Sequence, residues 1–334
     1  MNKLTKIGVS ALAGSLALTA ANAIEMSVSG NASGAYATSD TNKKGDFYQI
    51  DSVKFTASGE TDGGMNVTAS MELDNDNPGT SSSSNGMDDR SFSFGNDALG
   101  TVTFHGHGGS SVMGQWDDVT PNAYEEVWDG TAGADVRIDG RSGNNLIAYD
   151  SPTFSGVTFK LAHVQGAAAD LTSTANGVDL GAYTDFGIQI APEMVEGLTL
   201  GYAEATMEDT ATTEIDHSTY FIKYAVGGLT VGYQEHEADG PTGAKSDEST
   251  SWAVSYAVSD NMTIAYGQRD YDDNTATSAS TGDSMEQEDS GFSASYTMGG
   301  MTIAGHMNSN DNVGGASAAT ADKESYEFAL SFAF

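Results

Sequence analysis

The chain has 334 residues, of which 13 are Lys or Arg and 47 are Asp or Glu, giving a net charge of −34 at pH 7. So acidic a chain is a poor partner for nucleic acids, because binding to phosphate backbones depends on clustered cationic side chains. It contains no Cys, which excludes disulfide frameworks and thiolate metal sites. Its 40 Gly and 9% aromatic residues lie between regular apolar alternations, which argues against a disordered acidic chain.

The first residues have the pattern of a secretory signal peptide. Lys3 and Lys6 precede a short apolar stretch that ends in the small-x-small sequence Ala-Asn-Ala. We therefore predict a signal peptide over residues 1–23 and a single mature domain over residues 24–334. Glycine and serine interrupt the apolar stretch, so a retained membrane anchor is the weaker interpretation.

Beyond the signal, segments of alternating large apolar and small or polar residues continue to the C-terminus. The connections between them strictly alternate between short Gly-rich ones and long acidic ones. The short connections, each predicted to be a tight hairpin turn, are residues 59–64, 95–100, 151–156, 192–197, 227–228, 259–261 and 299–300. The long connections lie near residues 38–46, 75–88, 106–142, 168–180, 207–217, 237–249, 271–288 and 308–323.

Eight long and seven short connections join sixteen strands, with both termini on the side of the short turns. An even strand number with short periplasmic turns and long outer loops is typical of outer-membrane barrels. Along one strand, Trp252, Val254 and Tyr256 share a face, while the other face is small and polar. The last strand, residues 326–334, ends on an aromatic residue and needs a partner edge if it lies in hydrocarbon.

These patterns predict an all-β fold, a 16-stranded antiparallel transmembrane β-barrel. A soluble two-sheet sandwich, which would also show alternation, is the alternative interpretation. Aromatic residues near strand ends favour the barrel because they suit the membrane interfaces. They are Tyr202, Tyr224, Tyr256, Tyr266 and Tyr296.

Three sequence features carry a family resemblance: Ile-Glu-Met-Ser-Val-Ser-Gly at 24–30, Gly-Gly-Leu-Thr-Val-Gly-Tyr at 227–233, and the terminal Phe334. With the signal peptide, they resemble the general diffusion porins of Gram-negative outer membranes, most of all the alphaproteobacterial ones. The resemblance covers the mature chain. It implies a homotrimer in contact with lipid and lipopolysaccharide, a third outer loop folded into each lumen, and a terminal Phe334 that the outer-membrane assembly machinery reads as an assembly signal.

The third long connection, residues 106–142, is much longer than the others, and loops of that kind are usually functional or disordered. Its aromatic residues Trp116, Tyr124 and Trp128 could pack it against a wall. We predict that it folds inward and narrows the pore. Its acidic constriction residues are Asp117, Asp118, Glu125, Glu126 and Asp129.

The few cationic residues are informative because they are rare. Those predicted to form a basic pore wall are Lys54, Lys160, Lys223 and Arg269, on the lumen parity of their strands, and Arg137 and Arg141, which close the long loop. If this wall faces the acidic loop, the two signs of charge produce a transverse field that orients dipolar solutes. Because acids are in surplus, we predict a weakly cation-selective pore.

Signals for metals and catalysis are weak. Asp74 and Asp76 in the second long connection and Asp272 and Asp273 in the seventh offer oxygen ligands for Ca²⁺, with solvated acidic loops as the alternative. No nucleophile elbow, zinc-protease motif or phosphate loop is present in the sequence. We therefore predict neither an enzyme nor a bound cofactor.

Together these features predict a water-filled channel for the passive diffusion of small hydrophilic solutes and ions. One alternative is a substrate-selective channel, in which the aromatic residues of the third long connection stack on flat solutes. The other is an acidic, calcium-binding surface adhesin.

Overall fold

The computed structural model shows a closed β-barrel. It describes residues 24–39, 42–74, 89–129, 142–165, 182–210, 213–239, 247–272, 286–316 and 321–334. The predicted signal peptide lies outside these residues, so its cleavage stays a prediction.

The described chain is almost entirely β-strand. The strands are β1 (Glu25–Ser39), β2 (Asn42–Glu60), β3 (Asn66–Asp74), β4 (Arg90–Asn96), β5 (Gly100–His107), β6 (Gly109–Ser110), β7 (Ser142–Gly143), β8 (Leu146–Asp150), β9 (Val157–Val164), β10 (Tyr183–Ile190), β11 (Leu198–Thr210), β12 (Thr213–Val226), β13 (Leu229–Asp239), β14 (Asp247–Ser259), β15 (Met262–Asp272), β16 (Gln287–Met298), β17 (Met301–Asp311) and β18 (Lys323–Ala333). A four-residue helix, α1 (Val112–Gln115), and a 3-10 turn (Val313–Gly315) complete them. Within the described ranges, no helix has the length and apolar character needed to cross a membrane.

Sixteen strands form one antiparallel barrel, β1 to β5 followed by β8 to β18, while β6 and β7 pair as a small separate ribbon. The barrel closes where β18 pairs with β1, with Asn31 opposite Ala333. Phe334 extends this seam: its N–H donates to the Gly30 carbonyl at 3.0 Å, and its carbonyl accepts from the Gly30 N–H at 2.9 Å. A closed sheet satisfies its own backbone groups, as a sheet in hydrocarbon must. The predicted sixteen-stranded barrel is confirmed, and the sandwich alternative is wrong.

All seven predicted hairpin turns join consecutive barrel strands at one end of the barrel. Gly227, between β12 and β13, has φ of 58°, and Gly299, between β16 and β17, has φ of 65°. Two-residue hairpins favour positive φ, which glycine adopts without steric cost. Six of the seven predicted turns contain a glycine at positive φ, which is a local signal in the sequence; the turn at residues 259–261 contains no glycine.

Two of the eight predicted long connections are wrong. Residues 38–46 and 207–217 are mostly strand, because β1 continues to Ser39 before β2 begins at Asn42, and β11 continues to Thr210 before β12 begins at Thr213. Each hairpin carries a register irregularity near its tip. Polar residues on both faces remove the alternation there, yet the backbones still pair.

The two faces of the barrel differ in size and polarity as the alternation predicts. On β18, Phe328, Leu330 and Phe332 are exposed on the outside, whereas Ala329 and Ser325 face inward and are buried. The exterior is therefore apolar and the interior is lined by small and polar side chains, the arrangement of a barrel between lipid and water.

Candidate pore constriction

The described part of the third long connection, residues 108–129, folds into the barrel, and we call it the inner loop. It begins with β6, which pairs with β7, and its last described residues contact β17 and β18. Between these points its hydrogen bonds and packing contacts reach β10, β13, β15 and β16. The inner loop thus follows the lumen wall around half of the barrel, and the predicted inward fold is confirmed.

Helix α1 fixes the start of the inner loop. The Ser111 hydroxyl caps it by accepting from the Gly114 N–H at 3.1 Å, and Asp185 Oδ2 on β10 accepts from the Met113 N–H at 2.9 Å. Capping by a side-chain oxygen satisfies backbone donors that the first helical turn leaves unpaired. The Trp116 indole lies edge-on to Phe221, with ring centroids 5.2 Å apart.

The middle of the inner loop is held by polar side chains of the wall. Gln234 on β13 accepts from the Val119 N–H at 3.0 Å and donates to the Trp116 carbonyl. Ser293 Oγ on β16 accepts from the Ala123 N–H at 3.0 Å. These bonds satisfy loop backbone groups that would otherwise be buried without partners.

The end of the inner loop is pinned by two amides of β17. Asn308 Nδ2 donates to the carbonyls of Glu126 and Asp129 at 2.9 and 3.1 Å, and Asn310 Nδ2 donates to the Val127 carbonyl at 3.0 Å. Side-chain amides with two donors each suit a loop whose carbonyls face the wall.

A buried ion pair lies beneath this end of the loop. Arg269 on β15 binds Asp289 on β16, with Nη2 and Nε 2.6 and 2.8 Å from Oδ2, and both side chains are at most 2% exposed. The Trp128 ring lies against the guanidinium group, 4.1 Å from its centroid to Cζ. Arginine stacked on an indole combines charge attraction with packing, so this contact ties the loop to the wall.

All five predicted constriction acids lie on the inner loop. Glu125, Glu126 and Asp129 bring carboxylate oxygens within 4.8 Å of one another. Burial and mutual repulsion raise the pKa of Glu125 to about 8, of Glu126 to about 7 and of Asp129 to about 6. Burial also raises the pKa of Asp118. Carboxyl groups this close can share protons or hold a cation between them.

Residues 8–286 match the family model described as Gram-negative porin. The chain belongs to the Gram-negative porin family. Among curated proteins, none matches the chain. With its closed barrel and apolar exterior, the porin is an integral protein of the Gram-negative outer membrane and forms a channel for diffusion.

Solved porin structures share this fold at low sequence identity. An anion-selective porin from Comamonas acidovorans is 13% identical, with a TM-score of 0.65 over 93% of this chain and 100% of its own. OmpF of Salmonella typhi in complex with daunomycin is 11% identical, with a TM-score of 0.70 over 93% and 98%. A mutant of the Rh. blastica porin is 15% identical, with a TM-score of 0.59 over 92% and 100%. Identities this low establish the fold alone.

The predicted basic wall of the porin is dispersed. Lys54 on β2 pairs with Glu72 at 3.2 Å, and Lys160 on β9 pairs with Asp150 at 2.6 Å. Lys223 on β12 faces the lumen, since it lies opposite Gly232, against which the inner loop packs. Two strands separate β9 from β12 and four separate β2 from β9 in the barrel order, so these lysines do not form a single cluster.

The predicted wall also includes Arg269, Arg137 and Arg141. Arg269 lies on the lumen side of its strand, but the inner loop covers it, so it contacts Trp128 and Asp289 and is closed to the pore water. The expectation that it lines the pore is wrong, because parity gives the face of a strand and not what covers that face. Arg137 and Arg141 lie outside the described residues.

The calcium prediction concerns two pairs of acids, and the structure describes one residue of each pair. Asp74 ends β3 and Asp272 ends β15, and the calcium site that each would form with the second acid of its own connection stays a prediction. Asp76 and Asp273 lie outside the described ranges.

Several site residues were not predicted. Gln234, Asn308 and Asn310 hold the inner loop, and Glu327 on β18 accepts from the Tyr124 hydroxyl at 2.5 Å. The available signal was a large polar side chain at lumen positions where most neighbours are small. Wall glycines were a second signal, since a Cβ on Gly232 would lie 2.5 Å from Pro121 Cδ.

Proposed function

We propose that this porin is a water-filled channel for passive diffusion of small hydrophilic solutes and ions, with a weak preference for cations. The observation that carries the preference is the position of Glu125, Glu126 and Asp129 on a loop inside the lumen, with oxygens within 4.8 Å of one another. Fixed negative charge beside a water path raises the local cation concentration and lowers that of anions.

The lumen cations offset little of the negative charge of these acids. Lys54 and Lys160 are each paired with an acid on a neighbouring strand and Arg269 is buried in its own ion pair, which leaves Lys223 among the predicted wall cations that the structure describes. The fold alone does not set the sign of selectivity, since a porin of similar fold from Comamonas acidovorans is anion-selective. The side chains on the inner loop therefore support the cation preference.

The reversal potential in a salt gradient across a planar bilayer tests the proposal. We expect a potential of the sign for mild cation preference in the wild type and a shift toward neutrality in the triple variant Glu125→Gln, Glu126→Gln, Asp129→Asn. An anion-selective wild type, or a triple variant with unchanged reversal potential, would contradict it. Glu60→Gln, on β2 next to a hairpin turn, removes one carboxylate outside the inner loop and should leave the potential unchanged.

The cation preference should rise with pH between about 6 and 8. The pKa values of Asp129, Glu126 and Glu125 are raised to about 6, 7 and 8, so these groups are largely protonated below this range and ionised above it. Stability has the opposite dependence on pH: an acid whose pKa is raised in the folded state contributes stability that is present below its unfolded pKa and is lost as pH rises through the folded value. Reversal potentials at pH 5.5 and 8.5 check this. Equal values at both pH values would show that these acids lie off the ion path.

The partners proposed for the porin follow from its surface and its seam. We propose a homotrimer in contact with outer-membrane lipid and lipopolysaccharide. We also propose that Phe334, which is 65% exposed beside the closing seam, serves as the signal for the assembly machinery. Neither catalysis nor a cofactor is needed for diffusion down a gradient.

The described geometry disfavours the stacking of flat solutes on the tryptophans of the inner loop, and it disfavours a surface adhesin. Trp116 and Trp128 are buried between the inner loop and the wall, so neither indole is free to stack on a solute. A surface adhesin has no need of the apolar exterior that Phe328, Leu330 and Phe332 present.

A further inference from the structure

A cavity of about 610 Å³ lies between the inner loop and the seam where β18 meets β1. Tyr124, Glu125 and Asp129 line it from the loop, and Tyr48, His306 and Glu327 line it from the wall. We call this cavity the seam chamber. Its wall residues lie on β1, β2, β16, β17 and β18.

The carboxyl groups that line the seam chamber have no Lys or Arg beside them among the described lining residues. Three of its lining residues carry these carboxyl groups. The hydroxyls of Tyr124 and Tyr48 both interact with the Glu327 carboxylate, the first at 2.5 Å. Ala35, Ala329 and Ala304 lie opposite one another on β1, β18 and β17 and form an apolar floor, beside which the wall carries polar side chains such as Ser33, Ser295 and Thr302. Such a chamber offers negative charge, aromatic rings and an apolar floor to one ligand.

His306 supplies an independent indication of a ligand. Only 3% of this residue is exposed, and neither of its ring nitrogens has a hydrogen-bond partner. It lies directly opposite Glu327 in the β17–β18 register, and its ring stacks on Tyr124 with centroids 6.0 Å apart. Buried polar atoms are rarely left unsatisfied, so an unpaired imidazole at the chamber wall calls for a hydrogen-bonding group.

We propose that the seam chamber binds small organic ammonium ions, which makes primary amines a preferred solute class of the channel. This proposal rests on the proposed diffusion function and specifies its substrate. An alkylammonium group has three N–H donors, enough for the carboxylates of Glu327 and Asp129 and for one nitrogen of His306. The tyrosine rings can face the cation, and the alkyl chain fits the alanine floor.

A metal ion fits this set of groups less well. Calcium prefers oxygen ligands at short distance and gains nothing from an imidazole, two aromatic rings or an apolar floor. The three carboxylates that lie within 4.8 Å of one another are Glu125, Glu126 and Asp129, a group that does not include His306. The imidazole and the apolar floor therefore favour an organic cation.

The test is block of single-channel potassium current by hexylammonium chloride, compared with ammonium chloride and with neutral hexanol at equal ionic strength. We expect hexylammonium to block at lower concentration than ammonium, and hexanol not to block. Glu327→Gln keeps an acceptor for the two tyrosine hydroxyls but removes the charge, and it should raise the half-blocking concentration about tenfold, the effect of one charge-assisted hydrogen bond. His306→Phe keeps the ring stack on Tyr124 and should also raise it.

Glu72→Gln is the matched control, because Glu72 faces the lumen beside Lys54 and lies outside the seam chamber. It should leave the half-blocking concentration within about twofold of the wild type. Equal effects of Glu72→Gln and Glu327→Gln would overturn the proposal in favour of a general field effect. Stronger block by calcium chloride, unchanged in His306→Phe, would overturn it in favour of a divalent-cation site.

The potassium and chloride currents in the same recordings separate this proposal from the proposed function. If amines fail to block while the wild type conducts with cation preference, only the seam chamber assignment is wrong. If the folded wild type does not conduct or prefers anions, the proposed function itself is wrong.

Discussion

Replacing Arg269 by Met should raise the single-channel conductance of the porin and lower its thermal stability. The change leaves Asp289 buried without its cation and removes the guanidinium group on which Trp128 lies, 4.1 Å from the ring centroid. Removing one partner of a buried ion pair typically costs about 3–5 kcal/mol. Because Trp128 is the last aromatic contact of the inner loop, the loop end should loosen and the aperture widen.

Two further variants distinguish the loss of a lumen charge from the loss of the contact between Arg269 and Trp128. Lys54→Met removes a lumen cation whose pair is partly exposed, and it should cost no more than about 1 kcal/mol and leave conductance unchanged. Adding Asp289→Leu to Arg269→Met removes the unpaired charge and should recover stability without restoring the aperture. Conductance and the temperature of unfolding, measured on each variant, check both parts. An Arg269→Met porin with wild-type conductance would show that the amides of β17 hold the loop unaided.

The barrel was predictable from the sequence because its determinants are local and repeated. Most of the tight turns place a glycine at positive φ, as at Gly227 and Gly299, and the strands show their two faces at a period of two. The failures at residues 38–46 and 207–217 have the same origin. Where a hairpin has polar residues on both faces, the sequence loses its period although the backbone ladder continues.

The site was predictable in composition and less so in arrangement. The acids of the inner loop were found because length and charge both single out that segment. The burial of Arg269 was missed because it depends on where Trp128 comes to rest, a contact between residues far apart in sequence. Likewise, Glu327 and Tyr124 are 203 residues apart, and nothing local in either segment indicates the other.

Replacing Gly232 by Val should reduce the conductance of the porin. A Cβ at this position would lie 2.5 Å from Pro121 Cδ and 3.3 Å from Thr120 Cα, both on the inner loop. The backbone of β13 is ordinary strand at this position, so the strand itself accommodates valine. The steric clash is therefore with the inner loop. Because the wall side is closed, the loop can only move toward the lumen, which narrows the water path.

Gly34→Val is the matched control, since a Cβ on Gly34 meets no atom within 4 Å. It should leave conductance and stability near the wild-type values. If the loop cannot yield, Gly232→Val should cost about 1–3 kcal/mol, as overpacking does, and conductance should stay unchanged. Single-channel conductance and the unfolding temperature together distinguish the two responses. A fall in conductance with little loss of stability means that the depth of a wall side chain sets the aperture, so the glycines beneath the inner loop are as much determinants of the pore as the acids on it.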